Sequence, residues 1–449
     1  MTMNAVWTPA VEKMREAGIG DLAIHVFQQN IEKVARGESS YIRESDIRPL
    51  TKIPRYTGEG STSAERASNE SETHAIAQTA VIKLNGGLGT SMGLHKAKSL
   101  LNVTPDRTFL DIIIAQVMSV RQMQGVRLPL VFMNSFHTEN DTQNYVERFD
   151  SLAVDDLPLS FIQNRVPKLL RGDLTPAEHP NADLEWCPPG HGDLYTALPE
   201  SGLLEELLDR GYRYAIVSNS DNLGAFPDAA LAQWFADSGA PFAMEVCRRE
   251  ANDRKGGHLA VRASDSKLIL RELAQTAPED VDHFQDIERH SYFNTNTLWL
   301  DLEALADELG RRGGYLGLPL ILNAKTVDPT DATSAEVYQL ETGMGAAIEI
   351  FDGALAIEVD RSRFLPVKTT NDLLLIRSDV YDVAPSGVIT RTIDQAPTIW
   401  LDPEHFAHVD KFDARTHHVP SLVEATSLTV TGDYTFPQGL VIRGDVSLP

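Results

Sequence analysis

Residues 81–100 read VIKLNGGLGTSMGLHKAKSL: a short apolar run, then Gly86, Gly87, Gly89 and Gly93, then the cations Lys96 and Lys98. Glycines admit positive φ and let a ligand approach main-chain N–H groups, so a loop of this kind suits phosphate. Other stretches carry compatible chemistry. Ser218-Asn219-Ser220-Asp221 closes an apolar run, and WCPPGHGDLY holds His191 in a stiff turn of two prolines and two glycines. Asn294 and Asn296 in SYFNTN both donate and accept, as sugar hydroxyls require. Glu341 precedes a glycine-rich helix start, Lys255-Gly256-Gly257 leads into a strand, and RSRFLPVKTT presents Arg363 and Lys368 around Pro366.

The glycine spacing rules out two common phosphate loops. A Walker loop needs Gly, four residues, then Gly-Lys-Ser/Thr, and no register supplies it. The dinucleotide fingerprint needs G-x-G-x-x-G, whereas Gly87, Gly89 and Gly93 have one residue too many. Asp111, where a ribose-binding acid would be sought, falls in a helical stretch, which also speaks against a hydride-transferring dehydrogenase.

Composition narrows the class. The 449 residues, 42% hydrophobic and 23% charged, are those of a soluble globular protein of two or three domains. A formal net charge of −24 argues against nucleic acid or an anionic membrane as partner. A chain this acidic that holds polyphosphate must gather its few cations, or a metal, at one place. Cys187 and Cys247 read as ordinary reduced thiols. No apolar run is long enough for a membrane span, and the opening MTMNAVWTPAVEKMREAG lacks the pattern of a signal peptide, so a cytoplasmic location is expected.

The elements that must position these groups follow from periodicity. Residues 8–37 read as two helices parted at Gly18 and Gly20, and residues 53–72 as a polar exposed linker. Strands at 81–84, 128–133, 159–162 and 212–217 alternate with helical stretches at 109–123, 203–208 and 229–235, which predicts a mostly parallel sheet. Ligands bind such sheets beyond the carboxyl ends of the strands, where Gly86 to Thr90, Asn134, Gln163 and Asp221 all fall. From about Tyr381 little helix is expected. VTGDYTF at 430–436 and IRGDVSL at 442–448 repeat one pattern at twice a six-residue period, which predicts stacked coils of a parallel β-helix.

The run Leu84-Asn85-Gly86-Gly87-Leu88-Gly89-Thr90, with Met92, Gly93 and Lys98-Ser99, resembles the nucleotide loop of the eukaryotic-type UTP–glucose-1-phosphate uridylyltransferases, the UDP-glucose pyrophosphorylases. One departure is Ala97, where the family usually has proline. The resemblance continues in order through Met133 to Phe136, Gln163 with Pro167 and Lys168, Pro188 to Asp193, Ser218 to Gly224, Lys255 to Gly257, Phe293 to Asn296, Gln339 to Thr342 and Arg361 to Lys368. It implies an α/β fold: a Rossmann-like, GT-A-like nucleotidyltransferase domain (77–380), an N-terminal helical extension (1–76) and a C-terminal left-handed parallel β-helix (381–449).

It also implies roles. Leu84 to Gly87, Gly89, Thr90 and Lys98 would bind UTP, with Gln163 and Gly190 reading the uracil. Asp221 would ligate Mg²⁺ beside the nucleotide. His191, Asn219, Gly257, Asn294, Asn296 and Glu341 would hold glucose 1-phosphate, and Lys368 would contact the phosphates, which makes Lys98 and Lys368 the catalytic pair. The attacking phosphate is already ionised near neutral pH, so alignment and charge neutralisation suffice without a general base. The alternatives are a UDP-sugar or UDP-N-acetylhexosamine pyrophosphorylase and a non-catalytic nucleotide-sugar binder. The Asn85 and Leu88 of this loop favour glucose. Self-association through the β-helix end, seen in some family members, is left open.

Overall fold

A computed structural model describes residues 4–56, 69–250 and 253–449 of the chain. At its centre is a ten-stranded sheet. Four strands run parallel in the order Ser160–Ile162, Leu130–Asn134, Thr79–Asn85, Tyr214–Asn219. Every residue of Thr79–Asn85 is buried, as befits a strand covered on both faces.

The next strand, Tyr292–Asp301, pairs antiparallel with Tyr214–Asn219, and His258–Arg262 and Phe242–Arg248 extend the sheet antiparallel to it. The sheet is therefore mixed, which corrects the mostly parallel expectation. Alternation of strands and helices forecasts only part of it, because Tyr292–Asp301 inserts antiparallel among strands distant in sequence and Leu268–Arg271 returns directly on His258–Arg262, while Leu355–Glu358 adds a parallel edge to Phe242–Arg248. The mixture matters for the site. Asn219 and Asn296 stand two residues beyond the last paired Val217 and Leu298, so opposite chain directions bring them to one edge.

The helix Phe109–Gln124 starts with a capping box in which the Thr108 and Asp111 side chains each accept from the other's backbone N–H. Asp111 is thus spent on a helix cap. Asn4–Glu16 and Asp21–Ala35 are the two N-terminal helices expected from the sequence. Of the stretch read as a linker, residues 57–68 lie outside the described residues. Residues 69–72 are the capped start of the helix Glu70–Ala77, with Glu72 buried, rather than linker.

The C-terminal segment is a three-stranded parallel sheet, Thr398–Leu401, Ser421–Val430 and Val441–Leu448. Two short helices, Pro403–Phe406 and Val409–Arg415, intervene, more helix than expected. The two sequence repeats do not stack on each other as predicted. Val430 pairs with Leu448 and Leu428 with Val446, an offset of 18 residues, while most of 431–438 is turn and loop. One apolar core joins Ile112 and Val117, Leu373 and Leu374, and Phe406, Phe412 and Leu428, so this segment packs directly on the central unit. No helix among the described residues is long and apolar enough to cross a membrane.

Lys83, midway along the central strand, is 1% exposed and donates to Ser218 Oγ at 2.8 Å and Ala225 O at 2.6 Å. Burial, reinforced by the nearby Arg363, pushes its pKa down to about 7, with Glu245 pulling the other way. Between about 7 and the ordinary 10.5 the unfolded chain holds a proton that the folded chain has lost, so Lys83 makes stability rise with pH across that window. Lys83→Met is predicted to flatten the rise in thermal midpoint between pH 7 and 9, measured side by side with the unaltered chain.

Candidate active site

A cavity of about 300 Å³ opens beyond the carboxyl ends of the parallel strands. Its walls include Leu84, Asn85, Gly86 and Gly87, Lys98, Gln163, Gly190 and His191, and Asn219 and Asp221, ten of the residues singled out from sequence. The glycine loop leaves the end of the Thr79–Asn85 strand and folds back, with Lys98 N–H donating to Gly87 O at 3.1 Å. Gly89, at φ 66°, makes the turn, and a Cβ there would stand 2.8 Å from Leu94 Cδ1 and 3.3 Å from Lys98 Cγ. Gly89 is thus a packing position behind Lys98, and Thr90 is exposed beyond the cavity.

Neighbouring side chains pin the loop from behind. Asn85 Nδ2 donates to Asn134 Oδ1 and Thr142 Oγ1, both at 2.8 Å, and Ser135 Oγ donates to Gly86 O at 2.9 Å. The Asn85 Nδ2 donor is thus committed to the protein. Gln163 is fixed through its N–H to Asn134 O, and its amide lies against Gly86, where a Cβ would come within 2.9 Å of Nε2.

The charged centre is one carboxylate oxygen. Asp221 Oδ2 receives Lys98 Nζ at 3.0 Å and Lys368 Nζ at 2.9 Å. Lys98 also donates to Val367 O, so the glycine loop and the Lys368 segment meet here. Burial would raise the Asp221 pKa, but Lys368 and then Lys98 outweigh it and hold the carboxyl below its ordinary range. Its other oxygen, Oδ1, is buried and has no hydrogen-bond partner among the described residues. Two cavity residues that sequence reasoning passed over, Ser99 and Ser220, have buried hydroxyls in the same condition. Their positions next to Lys98 and Asp221 were the available signal.

His191 Nδ1 accepts from Met344 N–H at 2.9 Å, which assigns the ring proton to Nε2. Burial, with Lys368 as a second cause, pushes its pKa down to about 4, so near neutrality it is an uncharged donor. Two residues after it, Asp193 accepts from Asn164 N–H at 2.6 Å and clamps the His191 turn to the strand end bearing Gln163.

Of the sugar candidates, His191 and Asn219 line the cavity, whereas Gly257, Asn294, Asn296 and Glu341 sit outside its wall. Asn294 Nδ2 donates to Asn296 Oδ1 at 2.9 Å, and Asn296 has φ 55° at a point where the pairing with Phe242–Arg248 slips register. Such a bulge re-aims side chains. Gly257 lies against Glu272, whose carboxyl is pushed up to about 7 by burial despite a hydrogen bond from Asn294. Glu272 was not foreseen, because a Glu after an apolar strand is an ordinary sequence feature. Burial likewise raises the Glu341 carboxyl, and Glu341 packs on Gly190.

Gly190 has φ 81°, and a Cβ there would stand 2.4 Å from Thr342 O and 2.8 Å from Thr342 N. Gly190→Ala is predicted to cost about 1–3 kcal/mol of stability and to lower the activity of the folded fraction. Denaturant melts and initial rates on the folded fraction test this.

The chain matches the UTP–glucose-1-phosphate uridylyltransferase family over residues 24–443. It is 40% identical over 385 residues to the UTP–glucose-1-phosphate uridylyltransferase of Musa acuminata, covering 84% of this chain and 80% of that protein. It is 38% identical over 378 residues to that of Saccharomyces cerevisiae, covering 83% and 74%. A variant of the UDP-glucose pyrophosphorylase of Leishmania major, solved in complex with UDP-Glc, superposes with a TM-score of 0.91 at 40% identity, over 100% of this chain and 95% of that one. A UDP-glucose phosphorylase of Trypanosoma brucei gives 0.89 at 41% identity, over 99% and 94%. The glycine loop, the Asp221 centre and these likenesses over nearly the whole chain together make it a member of the UTP–glucose-1-phosphate uridylyltransferase family.

Proposed function

We infer that this chain makes UDP-glucose and pyrophosphate from UTP and glucose 1-phosphate, reversibly. The observation that carries the mechanism is the convergence of Lys98 and Lys368, from distant parts of the chain, on Asp221 Oδ2 at the edge of the glycine-loop cavity. A phosphate oxygen of glucose 1-phosphate attacks the α-phosphorus of UTP. The bond from that phosphorus to the bridging oxygen breaks, and pyrophosphate leaves with the electron pair.

In this reading the glycine loop wraps the triphosphate, Gln163 and the Gly190 backbone read the uracil, and Lys98 and Lys368 flank the reacting phosphates. His191 donates through Nε2 to a sugar-phosphate oxygen. Asn219, Asn294, Asn296, Glu341 and the Gly257 backbone receive the sugar. Asp221 fits a divalent cation, because Mg²⁺ bound to substrate phosphates needs only one or two carboxylates and Oδ1 is buried without a partner among the described residues. Mg²⁺ held there would neutralise charge gathering at the α-phosphate.

The offset of 18 residues between the last two parallel strands supports a left-handed β-helix for the C-terminal segment. The parallel half of the sheet supports a Rossmann-like, GT-A-like centre, with division near 76 and 380. Self-association and the cytoplasm as compartment are further expectations of this reading.

Pyrophosphate release from UTP with Mg²⁺ is predicted to be fastest with glucose 1-phosphate, slower with galactose 1-phosphate and minimal with N-acetylglucosamine 1-phosphate. Lys98→Ala and Lys368→Ala are each predicted to lower kcat by about 10²-fold or more at unchanged folded fraction. Activity with the acetylated sugar alone would reassign the substrate. Undiminished turnover in both lysine variants would remove them from the mechanism.

A further inference from the structure

Lys368 poses a positioning problem. It precedes the helix Thr370–Arg377, its side chain is 57% exposed, and its N–H donates to Asp372 Oδ2 in that helix's first turn at 2.8 Å, a local bond that does not set its place against Asp221. What holds it is a series of contacts to the turn after Asp221. Val367 N–H donates to Asp221 O at 3.1 Å, Leu365 N–H to Asn222 Oδ1 at 2.8 Å, and Asn222 Nδ2 to Arg363 O at 3.2 Å. Gly224 allows the two backbones to touch, since a Cβ there would stand 2.4 Å from Ser362 O.

The anchor of this segment is Arg363, 3% exposed. Its guanidinium grips Glu245 with both carboxylate oxygens, Nε to Oε2 at 2.7 Å and Nη2 to Oε1 at 2.8 Å, and Nη2 also donates to Phe226 O at 3.1 Å. Glu245 is 0% exposed and takes a further bond from Trp299 Nε1 at 2.9 Å. It also marks the bulge. Glu245 pairs with Thr297 and the next residue, Val246, with Asn294, and Thr295 Oγ1 donates to Glu245 O at 2.7 Å. The displaced residues on the facing strand are Thr295 and Asn296.

We propose that Glu245 is a positioning residue for the transfer reaction, fixing Lys368 through Arg363 relative to Asn294 and Asn296, whose bulge it shares. This rests on the reading of Lys368 as a phosphate contact and of the asparagines as sugar contacts. A buried ion pair adds little net stability over apolar residues of similar volume, because desolvation offsets the attraction. A bidentate Arg–carboxylate pair does fix direction and distance, and alignment of two polyanions depends on both. Glu245 touches neither substrate in this account and acts only through other residues.

The test replaces the pair by apolar residues, Glu245→Leu with Arg363→Met, in the full chain, beside Lys368→Ala. The expected double variant melts within a few degrees of the unaltered protein and binds UTP within about threefold, yet loses about 10²-fold in kcat with a raised KM for glucose 1-phosphate. A residue of purely structural importance would lower the folded fraction and leave that kinetic split unmoved. If the double variant does not fold, Glu245→Gln with Arg363→Met, which keeps an acceptor for Trp299 Nε1 and leaves no unpaired charge, carries the same comparison. An impaired Lys368→Ala beside a folded pair variant with normal kinetics overturns the proposal alone. A Lys368→Ala enzyme with normal turnover overturns the assignment of Lys368, and the proposal with it.

Discussion

Two lysines on one carboxylate oxygen form the constraint on which the rest of the structure depends. Asp221 lies in the turn after a central strand, Lys98 closes the glycine loop, and Lys368 lies far along the chain, yet both ammonium groups reach Asp221 Oδ2 at about the same distance. In a chain of net charge −24, cations are not held together by a general field. They must be placed by backbone. The Lys98 pair is largely shielded from water and the Lys368 pair is more exposed, so electrostatic attraction is stronger on the nucleotide-loop side. On the other side, position is maintained by the hydrogen bonds linking 363–367 to the turn at Asp221 and Asn222.

The mixed sheet is what makes this convergence possible. Parallel strands bring Asn85, Asn134 and Asn219 to one edge, and the antiparallel Tyr292–Asp301 brings its beginning, with Asn294 and Asn296, to the same edge. The candidate nucleotide residues and the candidate sugar residues thus come from different parts of one mixed sheet. A bulge at the junction turns Asn296 out of the regular alternation at the cost of a left-handed backbone.

Much of this was legible in the sequence, and the parts that were not share a cause. The glycine loop, the strand ends carrying Gln163 and Asp221, and the capped helix after the loop are local patterns, and each lies close to where periodicity put it. The antiparallel half of the sheet was missed because strand direction is decided by long-range pairing, to which alternation is blind. The C-terminal repeat was real as a pattern but misread in register, since the structure pairs residues 18 apart and leaves 433–436 outside the strands. Asn85 was legible as a site residue, but not the commitment of its amide to Asn134 and Thr142. Glu245 and Lys83 were given no role in the sequence reading. Their partners come from Arg363, Ser218 and Ala225, which no local reading brings together.

The account turns on the division of labour at Asp221, with one oxygen for the two lysines and the other for a cation carried by the nucleotide. The most direct measurement is calorimetric titration of UTP into the unaltered chain and Asp221→Asn, each with and without Mg²⁺. The account predicts that Mg²⁺ tightens UTP binding by about tenfold or more in the unaltered chain and has little effect in the folded Asn variant. An Asn variant in which Mg²⁺ tightens UTP to the same extent would contradict it.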